Sequence, residues 1–219
     1  VSSSALVTGA GAIVGGAATA AVVVLLTMRR GVGGDTLVLT GIALGQMLAS
    51  LNDYLLAATD IESAEAAKTW QHGSLNAVSW QAVVPLAVAA AVLVPAALAC
   101  SRDLRFLELG EEAAAGVGVS IGRARTLAMC MGVFLAAVAV ATAGPIGFVA
   151  LVAPQLSRRL ARSPGIAILP AMATGAVLLM CSDFLAQRLL SPFQIPVGLV
   201  TGVLGGVYLA WLLLGAERR

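Results

Sequence analysis

The sequence predicts an all-α, polytopic membrane helix bundle, and three observations predict it. Hydrophobic residues fill 59% of the 219 positions and charged residues only 11%, with a mean hydropathy of +0.96. Soluble domains carry about 25% charged residues, so most of this chain cannot face water. Apolar stretches near span length recur along the chain, and the arginines collect on one side of the resulting thread.

Seven apolar segments can be counted, at residues 5–28, 36–58, 82–100, 126–143, 145–160, 166–190 and 196–214. At 1.5 Å per residue, most of them can cross a hydrocarbon core of about 30 Å. The fifth is marginal. It belongs to the stretch 144–162, GPIGFVALVAPQLSRRLAR, which opens on Gly144 and Pro145, is interrupted by Pro154 and closes on three arginines. Lipid cannot satisfy freed backbone groups, so a short span broken by glycine and proline is expected to line a cavity or pack against protein. That pattern points to a membrane transport protein.

Threading seven spans places Arg29, Arg30, Arg102, Arg105, Arg123, Arg125, Arg158, Arg159, Arg162, Arg218 and Arg219 on one side, and only Lys68 and Arg188 on the other. By the positive-inside rule the arginine side is cytoplasmic, so the C-terminus is expected inside and Val1 enters from outside. The chain opens on Val1 with no basic segment before its first apolar run. No cleaved signal peptide is visible, and the chain reads as part of something longer.

The outer loop 59–80 carries Asp60, Glu62, Glu65 and Lys68, with Trp70 and Trp80 suited to the headgroup level. The inner loop 101–125, SRDLRFLELGEEAAAGVGVSIGRAR, is the longest cytoplasmic piece. Its GEEAAAG is expected to form about two turns of helix on the membrane surface, ended by Gly116 or Gly118. The GxxxG pairs Gly11/Gly15, Gly41/Gly45, Gly198/Gly202 and Gly202/Gly206 favour close helix packing.

Several chemistries are excluded or weakened. No GxxxxGK[ST] occurs and the only lysine, Lys68, follows Ala67, so this is not a P-loop ATPase. A net charge of +2 implies no nucleic-acid partner. Cys100, Cys130 and Cys181 are far apart, without metal or redox spacing, and read as packing residues; no metal site and no catalytic residue is expected. His72 and Ser74 are near neighbours in a loop and read as a turn rather than a nucleophile and base. Asp53, with Gln46 and Asn52, and Asp183, with Gln187, sit towards the outer ends of their spans. A proton relay would want acids deeper in the bilayer, which disfavours a proton-coupled transporter. Pro85, Pro95, Pro154, Pro170 and Pro196 bend or begin helices, as packing geometry or as hinges.

These residues carry a likeness. GPIGFVALVAPQLSRRL at 144–160 resembles the signature of the FecCD-type permeases, the membrane subunits of ABC importers for ferric siderophores, haem and cobalamin. LTGIALGQMLASL at 39–51, the W-x-x-G-S-L at 70–75, LELGEEAAAGVGVSIGRAR at 107–125 and SDFLAQRLLSPFQIPVGLVTGVLGG at 182–206 extend the likeness in order across nearly the whole chain. The resemblance implies ten membrane helices, of which these seven would be the fourth to the tenth. The whole of 1–219 would then be an N-terminally incomplete permease domain of the bacterial cytoplasmic membrane, with 101–125 as its cytoplasmic coupling loop.

The resemblance further implies ATP-driven alternating access, with a ferric siderophore as the expected cargo and haem or cobalamin as alternatives. The partners would be a second permease subunit, identical or homologous, ABC ATPase subunits and an extracytoplasmic substrate-binding protein. No cofactor is expected on this chain; ATP and Mg would be held by the ATPase. Leu107, Leu109, Gly110, Glu111, Glu112, Ala114, Val117 and Gly118 would seat in the ATPase, with Leu107, Leu109, Val117 and Val119 as apolar anchors. Gly144, Pro145, Gly147, Pro154, Pro196 and Gly198 would belong to the translocation pathway or its hinges. Asp183, Gln187 and Arg188 would dock the binding protein. The sequence departs from the family pattern at Gln155, where histidine is common, at Ala150 for glycine, and at Gly206 and Val207, which lack a nearby proline. Gln187 stands where an arginine is usual, and Arg188 follows one residue on, a turn of about 100° around a helix.

Overall fold

The structure is a computed structural model and describes residues 2–28, 34–76, 78–162, 165, 167–189 and 195–216. Among these, nine helices follow one another: α1 (Ser2–Met28), α2 (Gly34–Ala57), α3 (Ile61–Gln71), α4 (Trp80–Glu108), α5 (Glu111–Gly116), α6 (Ile121–Ala143), α7 (Val149–Ala161), α8 (Ile168–Arg188) and α9 (Val197–Ala216). No strand occurs among the described residues. Arg29, Arg30, Arg218 and Arg219, counted above for orientation, and residues 190–194 of the last motif lie outside the described residues.

Three of the described helices, α4, α6 and α8, are long and apolar enough to cross a membrane, and shorter apolar runs occupy Val14–Val23 and Val197–Leu212. The 29 residues of α4 rise about 43 Å. That exceeds the hydrocarbon core, so its last turns, carrying Arg102, Asp103, Arg105 and Glu108, project past it. Sequence reading placed 101–108 in the inner loop; these residues instead continue the helix, because nothing between Cys100 and Glu108 breaks it. Similarly α6 begins at Ile121 rather than 126.

The short fifth span resolves into a break and a half-length helix. The backbone leaves α6 at Gly144, and α7 does not start until Val149. With 13 residues, α7 rises only about 20 Å and cannot cross alone. Pro154 does not interrupt it, contrary to the sequence expectation. The proline forfeits one backbone hydrogen bond, and the buried neighbours Val152, Ala153 and Ser157 hold the helix through that point.

Two helix groups emerge. In one, α6 packs on α1 and α4, and α2 lies along α1; in the other, α7, α8 and α9 pack on one another. Among the described residues no extended helix seam joins the groups. The buried side chains are small: Ala114, Ala124, Ala137, Val152, Ala153, Ala186, Val197, Ser157, Ser182 and Thr201. Large apolar residues such as Leu25, Val92, Met180 and Leu214 are exposed. This inversion suits lipid, where helices associate through close backbone approach rather than by burying apolar bulk. The glycines that achieve it are mostly not those of the GxxxG pairs. Gly11, Gly15, Gly41, Gly45, Gly202 and Gly206 face no described neighbour within contact range. Gly16 instead meets Ala137, Gly175 meets Ala153, and Gly205 receives the Phe148 side chain.

The outer loop also differs from expectation, since residues 61–71 form the helix α3. Asp60 is its N-cap, with extended backbone angles and Oδ2 accepting from the Ser63 amide at 3.0 Å. Glu62 in the first turn and Lys68 in the last match the helix dipole. An Asp followed by alanines and paired charges was a legible start signal, masked by the loop's polarity.

The hydrogen bond from the Ser63 backbone amide, with its hydroxyl second, holds the Asp60 carboxyl below its ordinary value of 3.8. A depressed carboxylate contributes its cap above the unfolded value and loses it as pH falls through the folded one. Protection of the Ser63 amide against hydrogen exchange, corrected for intrinsic rate, should therefore fall as pH drops below 3.8. In Asp60→Ala the protection should be low and insensitive to pH across that range.

Candidate functional site

The predicted site residues gather at two opposite ends of the bundle. At one end the chain 72–74, between α3 and α4, reaches both helix groups. The Ser74 amide donates to the Ala143 carbonyl at 2.8 Å, and the Gly73 carbonyl accepts from the Gly198 amide at 3.2 Å. The last carbonyls of α6 and the first amides of α9 have no partner within their own helices, and in lipid such groups must find one. One loop residue serves each.

These contacts need glycine at three places. Gly144 has φ 74, and a Cβ there would lie 2.6 Å from the Trp70 carbonyl oxygen and 3.0 Å from Gly73 Cα. Gly73 has φ 62, and its Cβ would meet the Pro145 carbonyl oxygen at 2.7 Å. At Gly198 a Cβ would collide with the His72 carbonyl. Gly73 and Gly144 are buried while Pro145 and Gly147 are exposed. The Gly147 carbonyl accepts from the Val149 amide at 2.8 Å, opening α7. Pro196 precedes α9, its carbonyl accepting from Leu199 at 3.1 Å. Of the six residues expected to be pathway or hinge, Gly144, Pro145 and Gly198 are thus brought together around Gly73. Pro154 lies apart within α7, and its carbonyl accepts from the Ser157 hydroxyl at 2.9 Å.

Phe148, which sequence reading passed over, caps α7 with φ 64, a conformation costly for a bulky residue. Its side chain fills the notch at Gly205 of α9. His72 and Ser74 are committed locally: the His72 Nδ1 bonds the Lys68 carbonyl at 2.7 Å, and the Ser74 Oγ accepts from the Asn76 amide at 3.3 Å.

The C-terminal end of α8 carries the residues expected to dock the binding protein. Gln187 donates to Asp183 Oδ2 at 2.8 Å, and Oδ1 is buried without a partner among the described residues. Arg188 is exposed and curls over the Phe184 ring, 5.8 Å from its centroid. It does not share the Asp183 and Gln187 pair, as the 100° offset predicts. Further in, a cavity of about 410 Å³ opens between α7 and α8, lined by residues including Ala150, Ala153, Arg158, Met172 and Gly175.

At the opposite end, α4 runs into α5 through Leu109 and Gly110. Gly110 has φ 110 and ψ 153, a conformation open only to glycine. Six residues later α5 ends, and Gly118 at φ 83 turns the chain back. The short helix is thus present over the expected residues, and its end falls at the first of the two glycines considered. Its fixing point is Ala114, fully buried, whose carbonyl accepts from Val119 at 3.0 Å. Ala114 therefore anchors the helix and presents nothing outward. Leu109 and Val117 are 72% and 59% exposed, whereas Leu107 lies within α4 and is half-buried. Glu111 pairs with Arg125 of α6 at 3.0 Å, and Glu112 is exposed.

The described arginines divide between the ends in the sense of the charge count. Arg125 is held at the α5 end, Arg158 meets Glu108 of α4 at 3.2 Å, and Arg159 stacks over Trp211 of α9 at 5.1 Å. Lys68 and Arg188 lie at the glycine end. A helical bundle with a half-length helix after a glycine break, and a short surface helix at its basic end, defines an integral membrane protein of permease architecture. The chain belongs to the FecCD transport family, whose model matches residues 2–215.

Relatives agree. The chain is 41% identical over 208 residues to the ferric enterobactin transport system permease protein FepG of Escherichia coli (strain K12), covering 95% of this chain and 63% of that protein. It is 34% identical over 187 residues to the hemin transport system permease protein HmuU of Yersinia pestis, covering 84% of this chain and 55% of that one. A solved structure described as an inward-facing conformation of a metal-chelate type ABC transporter superposes with a TM-score of 0.82 at 26% identity, over 97% of this chain and 72% of the other. The chain thus spans about three-fifths of the length of these curated relatives.

The glycine contact generates a test. Gly144→Ala and Gly198→Ala each force a methyl group onto backbone, which cannot move aside as a side chain can. Each should cost about 1–3 kcal/mol, read as a lowered thermal midpoint in detergent. Gly202→Ala, with open space around it, should leave the midpoint unchanged.

Proposed function

We propose that the chain is the larger part of a permease subunit of a binding-protein-dependent ABC importer that carries a ferric siderophore into the cytoplasm. The observation that carries this reading is α5. A glycine-turned helix, pinned by buried Ala114 and flanked by exposed Leu109 and Val117, stands between two span-length helices at the arginine-rich end. Leu109 and Val117 would offer apolar contacts to a protein docked against α5. By the positive-inside rule that end is cytoplasmic, where an ATPase subunit would dock and supply the ATP and Mg chemistry that this chain has no motif for. The C-terminus is then cytoplasmic, and Asp183, Gln187 and Arg188 face the binding protein outside.

A ferric siderophore is favoured over haem because identity to the enterobactin permease exceeds that to the hemin permease. Alternating access would use the glycine break after α6 as a hinge, with a second permease subunit completing the pathway. The function is tested by uptake in cells lacking the full-length gene, offered labelled ferric siderophores, haem and cobalamin with and without ATP depletion. Loss of one ligand's uptake, restored by the gene and dependent on ATP, is the expected result. ATP-independent uptake would instead indicate a secondary carrier.

The coupling role has its own test. Gly110→Leu strains the turn by about 1–3 kcal/mol, and Glu111→Lys sets a like charge against Arg125. The double variant should insert normally yet lose ATPase co-purification and transport. Normal association and ATP-dependent uptake would remove α5 from the docking role.

A further inference from the structure

The two helix groups are joined differently at their two ends. At the glycine end the joint is backbone against backbone, with no room for a Cβ at Gly73, Gly144 or Gly198. At the basic end, among the described residues, a side-chain contact joins the two groups. Arg158 Nη2 of α7 lies 3.2 Å from Glu108 Oε1 of α4, with the two side chains 50% and 28% exposed. The Glu108 carboxylate also borders the α7–α8 turn, where a Cβ at Gly165 would stand 3.2 Å from Oε2. Glu108 is the last residue of α4, two residues before the Gly110 turn into α5. Arg158 sits in the last turns of α7, whose other end opens at the glycine break.

We propose that the Glu108/Arg158 pair is the positioning contact that carries displacement of α5 to the α7, α8 and α9 group, with the Gly73, Gly144 and Gly198 contact as the pivot. The inference rests on α5 being the ATPase-docking element. An exposed ion pair contributes little to stability, so this pair does not hold the fold together. It is placed where a shift of the α5 end acts on α7 at full leverage, a helix length from the pivot. A second pair, Glu111 with Arg125, ties α5 to α6 inside the first group. Movement of α5 therefore reaches the first group directly and the second through Glu108.

The test uses the full-length permease with its ATPase and binding protein in proteoliposomes. Glu108→Gln and Arg158→Gln should retain ATPase co-purification and ATP hydrolysis. Substrate carried per ATP should fall by about twofold to fivefold, because an exposed pair can transmit no more than its own interaction strength. The exchange of charges, Glu108→Arg with Arg158→Glu, should restore the ratio. An unchanged ratio in the single variants overturns the proposal. So does failure of the exchange to rescue, because the two residues then do not act as a pair. Normal ATPase association in the Gly110→Leu, Glu111→Lys double variant would instead sink the docking role of α5, a separately readable failure. A second measurement needs no Glu108 variant. Spin labels replacing Arg102 on α4 and Leu160 on α7 should keep a constant separation through the nucleotide cycle. A separation that changes with nucleotide would show that the two helix ends move independently, and would overturn the proposal.

Discussion

The close approach of three glycine backbones, at Gly73, Gly144 and Gly198, is the constraint on which the rest of the arrangement depends. It lets one loop supply hydrogen-bond partners to the end of α6 and the start of α9, groups that lipid would leave unsatisfied. Because α6 and α9 belong to different helix groups, the same contact fixes how the groups meet. The break after α6 follows from it: with Gly144 held at φ 74, the helix cannot continue. The chain must travel through Pro145 and Gly147 before Phe148 can open α7.

That break gives α7 its character. Too short to span alone, it is held by packing on α8 and α9, with Phe148 in the Gly205 notch and Ala153 against Gly175. Its far end carries Arg158 and Arg159, which reach Glu108 and Trp211. One half-length helix therefore joins the glycine contact at one end of the bundle to the charged contacts at the other. The surface helix α5 sits beside those charged contacts, turned outward by Gly110 and anchored by Ala114.

Much of the candidate site was legible because its signals are local. The glycine and proline of 144–147, the GEEAAAG of α5 and the asymmetry of arginines can each be read over a few residues. The misses were of two kinds. Helix α3 carried a local signal in its Asp60 cap, but the polarity of its surroundings drew the reading towards loop. Gly73, Phe148, Gly205 and Glu108 stand within the quoted motifs, but nothing local marks their partners, since their roles come from what lies across the fold. The GxxxG pairs show the reverse error. Spacing identifies glycines that can permit close packing, but six of those seven meet no described neighbour.

By itself the sequence determined that this is a membrane bundle, roughly where its long apolar helices lie, though α4 runs eight residues past its predicted end and α3 was read as loop, and which ends carry the arginines. Hydropathy, propensity and charge act over one helix or less, so they survive reading in one dimension. The tertiary structure alone decided that α7 passes unbroken through Pro154, that Ala114 of α5 is buried, and that Gly73 joins two helix groups. It also decided that Glu108, 50 residues before Arg158 in the chain, meets it in space. Those outcomes depend on which backbones approach closely enough to exclude a methyl group, a property of pairs of distant residues that no single stretch encodes.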